Sequence, residues 1–143
     1  MPNPEKFKSK IEIVPEIEEK EEPFYEKPLT EKEREEFSFF IEGIKREQDE
    51  KKREEKLEML IPYLLGYRLE EELRKKGKEI VQNSYERGVL RKGGYEWMRG
   101  EKEKLKIWRH YRKTEKKWLS ERIILDGKKL QKIKEKLLKE ILK

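Results

Sequence analysis

Between Glu101 and Leu119 the residues sort into two opposed stripes when laid on a helix of about 3.6 residues per turn. Lys102, Lys106, Arg109, Lys113 and Lys116 fall in one line, with Lys117 at its edge. Ile107, Trp108, Tyr111, Trp118 and Leu119 fall on the other side. The spacing predicts one two-faced helix over 101–119. The acids of the segment, Glu101, Glu103 and Glu115, lie off the basic line, so no carboxylate one turn away neutralises it. Stripe members recur every three or four residues, a rise of about 5–6 Å, comparable to the spacing of phosphates along a nucleic-acid strand. A stripe of one sign points to a polyanion.

The rest of the chain reads as helix by the same test. Asp126-Gly127 punctuates it, and a last helix is expected from Lys128 to the end, with Leu130, Ile133, Leu137 and Ile141 on its apolar line and Leu138 beside it. Lys129, Lys132, Lys136, Lys139 and Lys143 form its basic line. Two successive helices would then each carry a basic ridge backed by an apolar one. Upstream, Thr30 with Glu33 makes a capping box that opens a helix at Glu31. Phe37, Phe40, Ile41 and Ile44 form its apolar face, and Lys45 to Lys56 is polar all round. Pro62 is expected to break or kink that helix. A second helix follows, with Ile61, Leu64, Leu65, Leu69 and Leu73 on one stripe and Ile80 and Val81 continuing the apolar side.

Tyr85 to Gly100 is the expected non-helical segment, holding four of the eight glycines. Gly93-Gly94 marks a tight turn, across which Val89-Leu90 and Tyr95 to Met98 could pair as a small hairpin near residues 88–98. Five of the six prolines precede Leu29, so residues 1–29 read as an extended N-terminal arm. The expectation is an all-α helical bundle over 30–143 joined to that arm.

Composition sets the limits. Charged residues make up 49% of the 143 and apolar ones 33%, so any core is thin, yet the apolar positions recur in register, which argues against a wholly disordered chain. Abundant Lys, Glu, Arg and Ile without cysteine resembles hyperthermophile usage. Residues 1–60 hold 13 Lys/Arg against 19 Asp/Glu, a net −6, and residues 61–143 hold 25 against 13, a net +12. A basic half beside an acidic half suits a phosphate-rich partner for one and a protein partner for the other. Without cysteine there is neither a disulfide nor a thiolate zinc site. No apolar run is long enough to span a membrane, and no hydrophobic segment near Met1 reads as a secretion signal.

Catalysis finds little purchase. His110 is the lone histidine and reads as a surface residue, and the carboxylates lie in mixed-charge runs of solvated helix faces. No HExxH, P-loop or GxSxG motif occurs. The chain is expected not to be an enzyme and to carry no metal or cofactor. Nucleic-acid contacts are expected instead from Arg87, Arg91, Lys92 and Arg99 in the glycine-rich segment, and from Lys102, Lys106, Arg109, Arg112, Lys113, Lys116 and Lys117 on the first ridge. Lys129, Lys132 and Lys136 would add the second. Arginines interleave with Tyr67, Tyr85, Tyr95, Trp97, Trp108 and Tyr111, which suits phosphate contacts buttressed by rings or bases stacked on them. Helical spacing assigns Trp108, Tyr111 and Trp118 to the core and leaves Trp97 as the aromatic ligand contact.

In layout the chain resembles the major coat proteins of filamentous viruses of hyperthermophilic archaea, with Met1 to Leu29 as arm and Thr30 to Lys143 as bundle. The resemblance implies a nucleocapsid protein of a virion that wraps linear double-stranded DNA, held in an A-like form, without reading sequence. It also implies a homo-oligomer or a heterodimer with a paralogous coat protein. The acidic stretch Glu16 to Glu22 departs from a basic DNA-wrapping arm and suggests contact with a neighbouring subunit. Two alternatives stand beside it. Lys78 to Trp97 could supply the recognition helix and wing of a winged-helix transcription regulator, with Arg91, Lys92 and Gly93 at the wing tip. A protein-binding inhibitor of a host machine could use the same lysines in the cytoplasm.

Overall fold

The computed structural model describes residues 22–81, 92–114 and 117–143. Its elements, in order, are α1 (Glu31–Glu36), α2 (Ser38–Arg46), α3 (Glu50–Lys75), β1 (Glu79–Ile80), β2 (Gly93–Met98), β3 (Lys104–Thr114), β4 (Lys117–Asp126) and α4 (Gly127–Ile141), preceded by a 3-10 turn at Phe24–Glu26. The protein is therefore mixed α and β, with a four-stranded antiparallel sheet, and the expected all-α bundle is wrong. The segment expected as a two-striped helix is a β-hairpin. From Lys104 to Tyr111 basic or aromatic side chains alternate with Leu105, Ile107, Arg109 and Tyr111, and burial follows that period of two. Leu105 and Ile107 are fully buried, and they face Leu125 and Ile123 across the β3–β4 ladder. A dense run of branched and aromatic residues gains more from this pleated surface than from a helix.

β3 is the hub of the sheet. β4 pairs with it from Lys104 to Thr114 along one side. β2 takes Lys104 to Arg109 and β1 takes Tyr111 and Arg112, so these two lie end to end along the other. Gly93-Gly94 is thus strand, not turn, and Tyr95 to Met98 pair with Leu105 and its neighbours. Val89 and Leu90, the other half of the expected hairpin, lie outside the described residues. At Gly93 φ is +156°, and an added Cβ would run into the main-chain carbonyl of Trp108. Glycine lets β2 approach β3 there.

The helices cover one face of the sheet. Asp49 caps α3, its side chain accepting a hydrogen bond from the Lys51 amide at 3.0 Å. The polar run 45–56 is accordingly split by a turn at residues 47–49, where sequence periodicity suggested continuous helix. α3 runs through Pro62 without a break, burying Leu57, Leu60, Ile61, Leu64, Leu65, Leu69 and Leu73. Each buried side chain of this kind contributes about 2 kcal/mol, so together they outweigh the roughly 3 kcal/mol that an internal proline costs. α3 ends in a Schellman motif. Gly77, at φ +77°, donates to the Arg74 carbonyl and Lys78 to that of Leu73, both at 2.9 Å.

The capping box at the start of α1 forms as expected, Thr30 and Glu33 each accepting from the other's amide at 3.0–3.1 Å. Glu33 also receives two guanidinium bonds of 2.8 Å from Arg68 of α3, both side chains buried. Arg68 further donates to the carbonyls of Tyr25 and Pro28. This clamp draws residues 24–29, read above as arm, onto the body, where Leu29 is buried. α4 begins at the cap Asp126, and Leu130, Ile133, Leu137 and Ile141 form its buried line as expected.

Candidate nucleic-acid interface

The described helices occupy one side of the sheet, and the other carries the candidate site. Strand register defines that face. Lys104, Lys106, Trp108, His110 and Arg112 project from β3 opposite Asp126, Ile124, Arg122, Ser120 and Trp118 of β4. From β2, Gly94, Glu96 and Met98 lie beside Trp108, Lys106 and Lys104. Ile124 is 47% exposed and Met98 36%, against 0% for Leu105, Ile107 and Leu125 on the helical side. No other described element covers this face.

Its middle rows are Trp108 beside Arg122, His110 beside Ser120, and Arg112 beside Trp118. They carry two indoles, an imidazole and two guanidiniums with no carboxylate among them. The acids stand at the rim, at Glu79, Glu96 and Asp126. Arg112 lies over the Trp118 ring at 4.8 Å and is held at 3.9 Å by Glu79, and the Lys106 ammonium sits 5.6 Å from the Trp108 ring. His110 Nδ1 and Ser120 Oγ share a hydrogen bond of 2.6 Å. Burial, with a smaller push from the Arg109 charge, keeps the imidazole below its ordinary range. His110 is therefore uncharged at neutral pH. Val81 donates to the His110 carbonyl at 3.1 Å and the Lys92 carbonyl accepts from the His110 amide at 2.8 Å, so Val81 and Lys92 are both held at the centre of the candidate site.

The basic residues expected from sequence are dispersed by the fold. Lys106 and Arg112 lie on the open face. Arg109, the expected centre of the first ridge, points the other way and donates to Glu70 of α3 at 2.9 Å, with 11% of its side chain exposed. Lys92 also meets Glu70, at 3.1 Å. Arg99 bridges Glu58 and Glu103 and stacks on Trp97 at 4.2 Å, and Trp97 pairs with Leu105, so the aromatic expected to contact a ligand lies on the helical side of the sheet. Lys102, in the β2–β3 connection, and Lys113 and Lys117, beside the β3–β4 connection, are exposed. Arg87, Arg91 and Lys116 lie outside the described residues.

Two lysines of the second ridge face carboxylates of the same chain. Lys136 meets Glu22 at 2.7 Å and Glu26 at 3.7 Å, and Lys132 meets Glu26 at 3.3 Å. Lys129 stays exposed. Lys134, on the buried side of α4, meets Glu58 at 2.6 Å and Glu54 at 3.4 Å. Burial works to raise the Glu58 carboxyl, but the bonds and charges of Lys134 and Arg99 outweigh it and hold the group below its ordinary range.

Sequence reasoning passed over Trp108, Trp118 and Arg122 as site residues, assigning both indoles to the core. Tyr111 is indeed buried. The signal for Trp108 was the alternation of Lys104, Lys106 and Trp108 with Leu105 and Ile107, which puts every second side chain on one face up to Arg109. Among the described residues no cluster of three or more His, Asp or Glu is placed to hold a metal ion, and no helix is long and apolar enough to cross a membrane. Comparison with protein families, characterised proteins and solved structures finds no match to this chain.

Proposed function

We propose that the protein binds nucleic acid, without reading sequence, across the open face of its sheet. The observation that carries this reading is the block of rows 108/122, 110/120 and 112/118. It joins aromatic rings to the cations Arg112 and Arg122, of which Arg112 meets Glu79 at the rim, on a surface that no other described element covers. A solvated sheet face normally carries small or mixed polar residues, and large rings placed there expose apolar area at a cost unless a ligand covers them. Phosphates would meet Lys104, Lys106, Arg112 and Arg122, and base or sugar surfaces would meet the rings. The basic C-terminal half agrees with such a partner.

Coating double-stranded DNA within a virion is the more particular reading suggested by layout, and it rested on two parallel basic ridges. Of those, Arg109, Lys132 and Lys136 are engaged by carboxylates of their own chain, so the weight of the proposal moves to the sheet. The test is fluorescence anisotropy of labelled oligonucleotides in a salt titration. Affinity should fall log-linearly with salt, with a slope of about −0.7 to −0.9 per phosphate neutralised. The pair Lys106→Glu and Arg122→Glu should abolish binding while helix and sheet signals in circular dichroism stay unchanged. Undiminished binding by that double variant would refute this placement of the site.

A further inference from the structure

We infer that the strand taken by this face is single, and that its bases stack on Trp108 and Trp118; this rests on the reading above and specifies its ligand. The first ground is the posture of Trp108. A Cβ placed on Gly94 would sit 3.2 Å from Cζ2 of the indole and 3.6 Å from both Cε2 and Cη2. Three neighbouring ring atoms at such similar distances mean that the indole is met through its face, not its edge. The ring therefore lies down across Gly94, with one face supported by β2 and the Lys106 ammonium 5.6 Å from its centre. Any larger side chain at residue 94 would lift it.

The second ground is spacing. Trp108, His110 and Arg112 occupy alternate residues of β3 and so stand about 6.8 Å apart in succession. That step suits an extended strand whose bases have come apart from one another. Trp118 lies directly opposite Arg112, placing a second indole at the far end of the row. In a duplex the faces of the bases are already covered by their neighbours, and only the ends of the helix could use such platforms. An unpaired strand offers a face at every nucleotide.

The third ground is charge. The open face carries four full cations, Lys104, Lys106, Arg112 and Arg122, against the rim acids Glu79, Glu96 and Asp126. A duplex held chiefly by its phosphates needs more uncompensated charge than this. Stacking supplies what the charges do not, and it is indifferent to base identity.

The experiment compares a labelled oligodeoxythymidylate with the duplex it forms with oligodeoxyadenylate, at one low salt concentration, by anisotropy and by tryptophan quenching. The single strand should bind about ten-fold or more tighter than the duplex and quench the tryptophan emission. Trp108→Ala, Trp118→Ala and Gly94→Val should each weaken single-strand binding by about ten-fold, with little change in salt slope. Gly94→Val matters because it keeps every ring and charge and alters only the posture of one indole. Duplex binding as tight as single-strand binding, with all three variants unaffected, would overturn this inference and leave nucleic-acid binding standing. Failure of both oligonucleotides to bind would overturn both.

Discussion

Arg109 of the central strand and Glu70 of the long helix meet at 2.9 Å beneath the sheet, and both side chains are about nine-tenths buried. Room for the guanidinium is made by Gly66, one helical turn before Glu70, where an added Cβ would overlap it. The only charged residue on the inner side of β3 between Leu105 and Tyr111 is thus fixed from α3. Removing the carboxylate strands a buried cation, so Glu70→Leu should cost about 3 kcal/mol in urea unfolding. Arg109→Met should cost less, because Lys92 and Arg74 still attend Glu70, and the double variant should recover much of the loss. Arg109→Met should also bind oligonucleotides as well as the parent, since the side chain does not reach the open face. A loss of binding without a loss of stability would return Arg109 to the site.

The second ridge and the open face of the sheet separate on mutation. Lys132→Glu with Lys136→Glu should leave oligonucleotide affinity within about two-fold, because these lysines already answer Glu22 and Glu26 at an exposed surface. Lys106→Glu with Arg122→Glu should remove binding. Equal losses in both pairs, measured by anisotropy at the same salt, would show that α4 shares the interface.

Acid should weaken the fold in two stages. His110 is held uncharged in the folded protein, so the unfolded chain takes up its proton first, and stability falls as pH drops through the ordinary imidazole range. Glu33 and Glu58 are held below the ordinary carboxylate range, Glu33 because the bonds from Arg68 and Thr30 outweigh the effect of burial. Their contribution is complete above that range and is lost as pH falls through their folded values. Urea midpoints followed from neutral pH downward should show both declines, and His110→Gln should remove only the first. A midpoint that rises on mild acidification would contradict the assignment.

Two glycines should differ in their tolerance. Gly77→Ala meets nothing within 4 Å and pays only for the left-handed backbone at φ +77°, about 1–2 kcal/mol. Gly93→Ala would drive its Cβ into the Trp108 carbonyl, which forces β2 away from β3 and should cost about 2–4 kcal/mol. Amide hydrogen exchange should report the second as lost protection along β2 and β3. If the two variants melt alike, the close approach of β2 to β3 at Gly93 is wrong.

What the sequence makes legible is local. Thr30 and Glu33 announce their helix because both halves of the capping box lie within one turn, and the line Leu130, Ile133, Leu137, Ile141 is unambiguous once Asp126 marks its start. The hairpin of β3 and β4 was misread because Ile107, Trp108, Tyr111, Trp118 and Leu119 fit a helical face and Arg109 interrupts the alternation that would have signalled a strand. What makes a buried arginine tolerable is Glu70, 39 residues earlier in the chain, a partner that no local pattern reveals. A still longer separation in sequence hides Glu26 and Glu22, the partners of Lys132 and Lys136. The sequence displays the lysines and arginines but not their partners. Which of them remain available is decided by tertiary pairing.

The most direct test of the central claim is a proton–nitrogen correlation spectrum of the indole amides during titration with a short oligodeoxythymidylate. The account predicts that the Trp108 and Trp118 signals shift and saturate together while Trp97, capped by Arg99 on the other side of the sheet, moves little. Movement confined to Trp97, or to backbone amides of α4 with both sheet indoles unmoved, would contradict it.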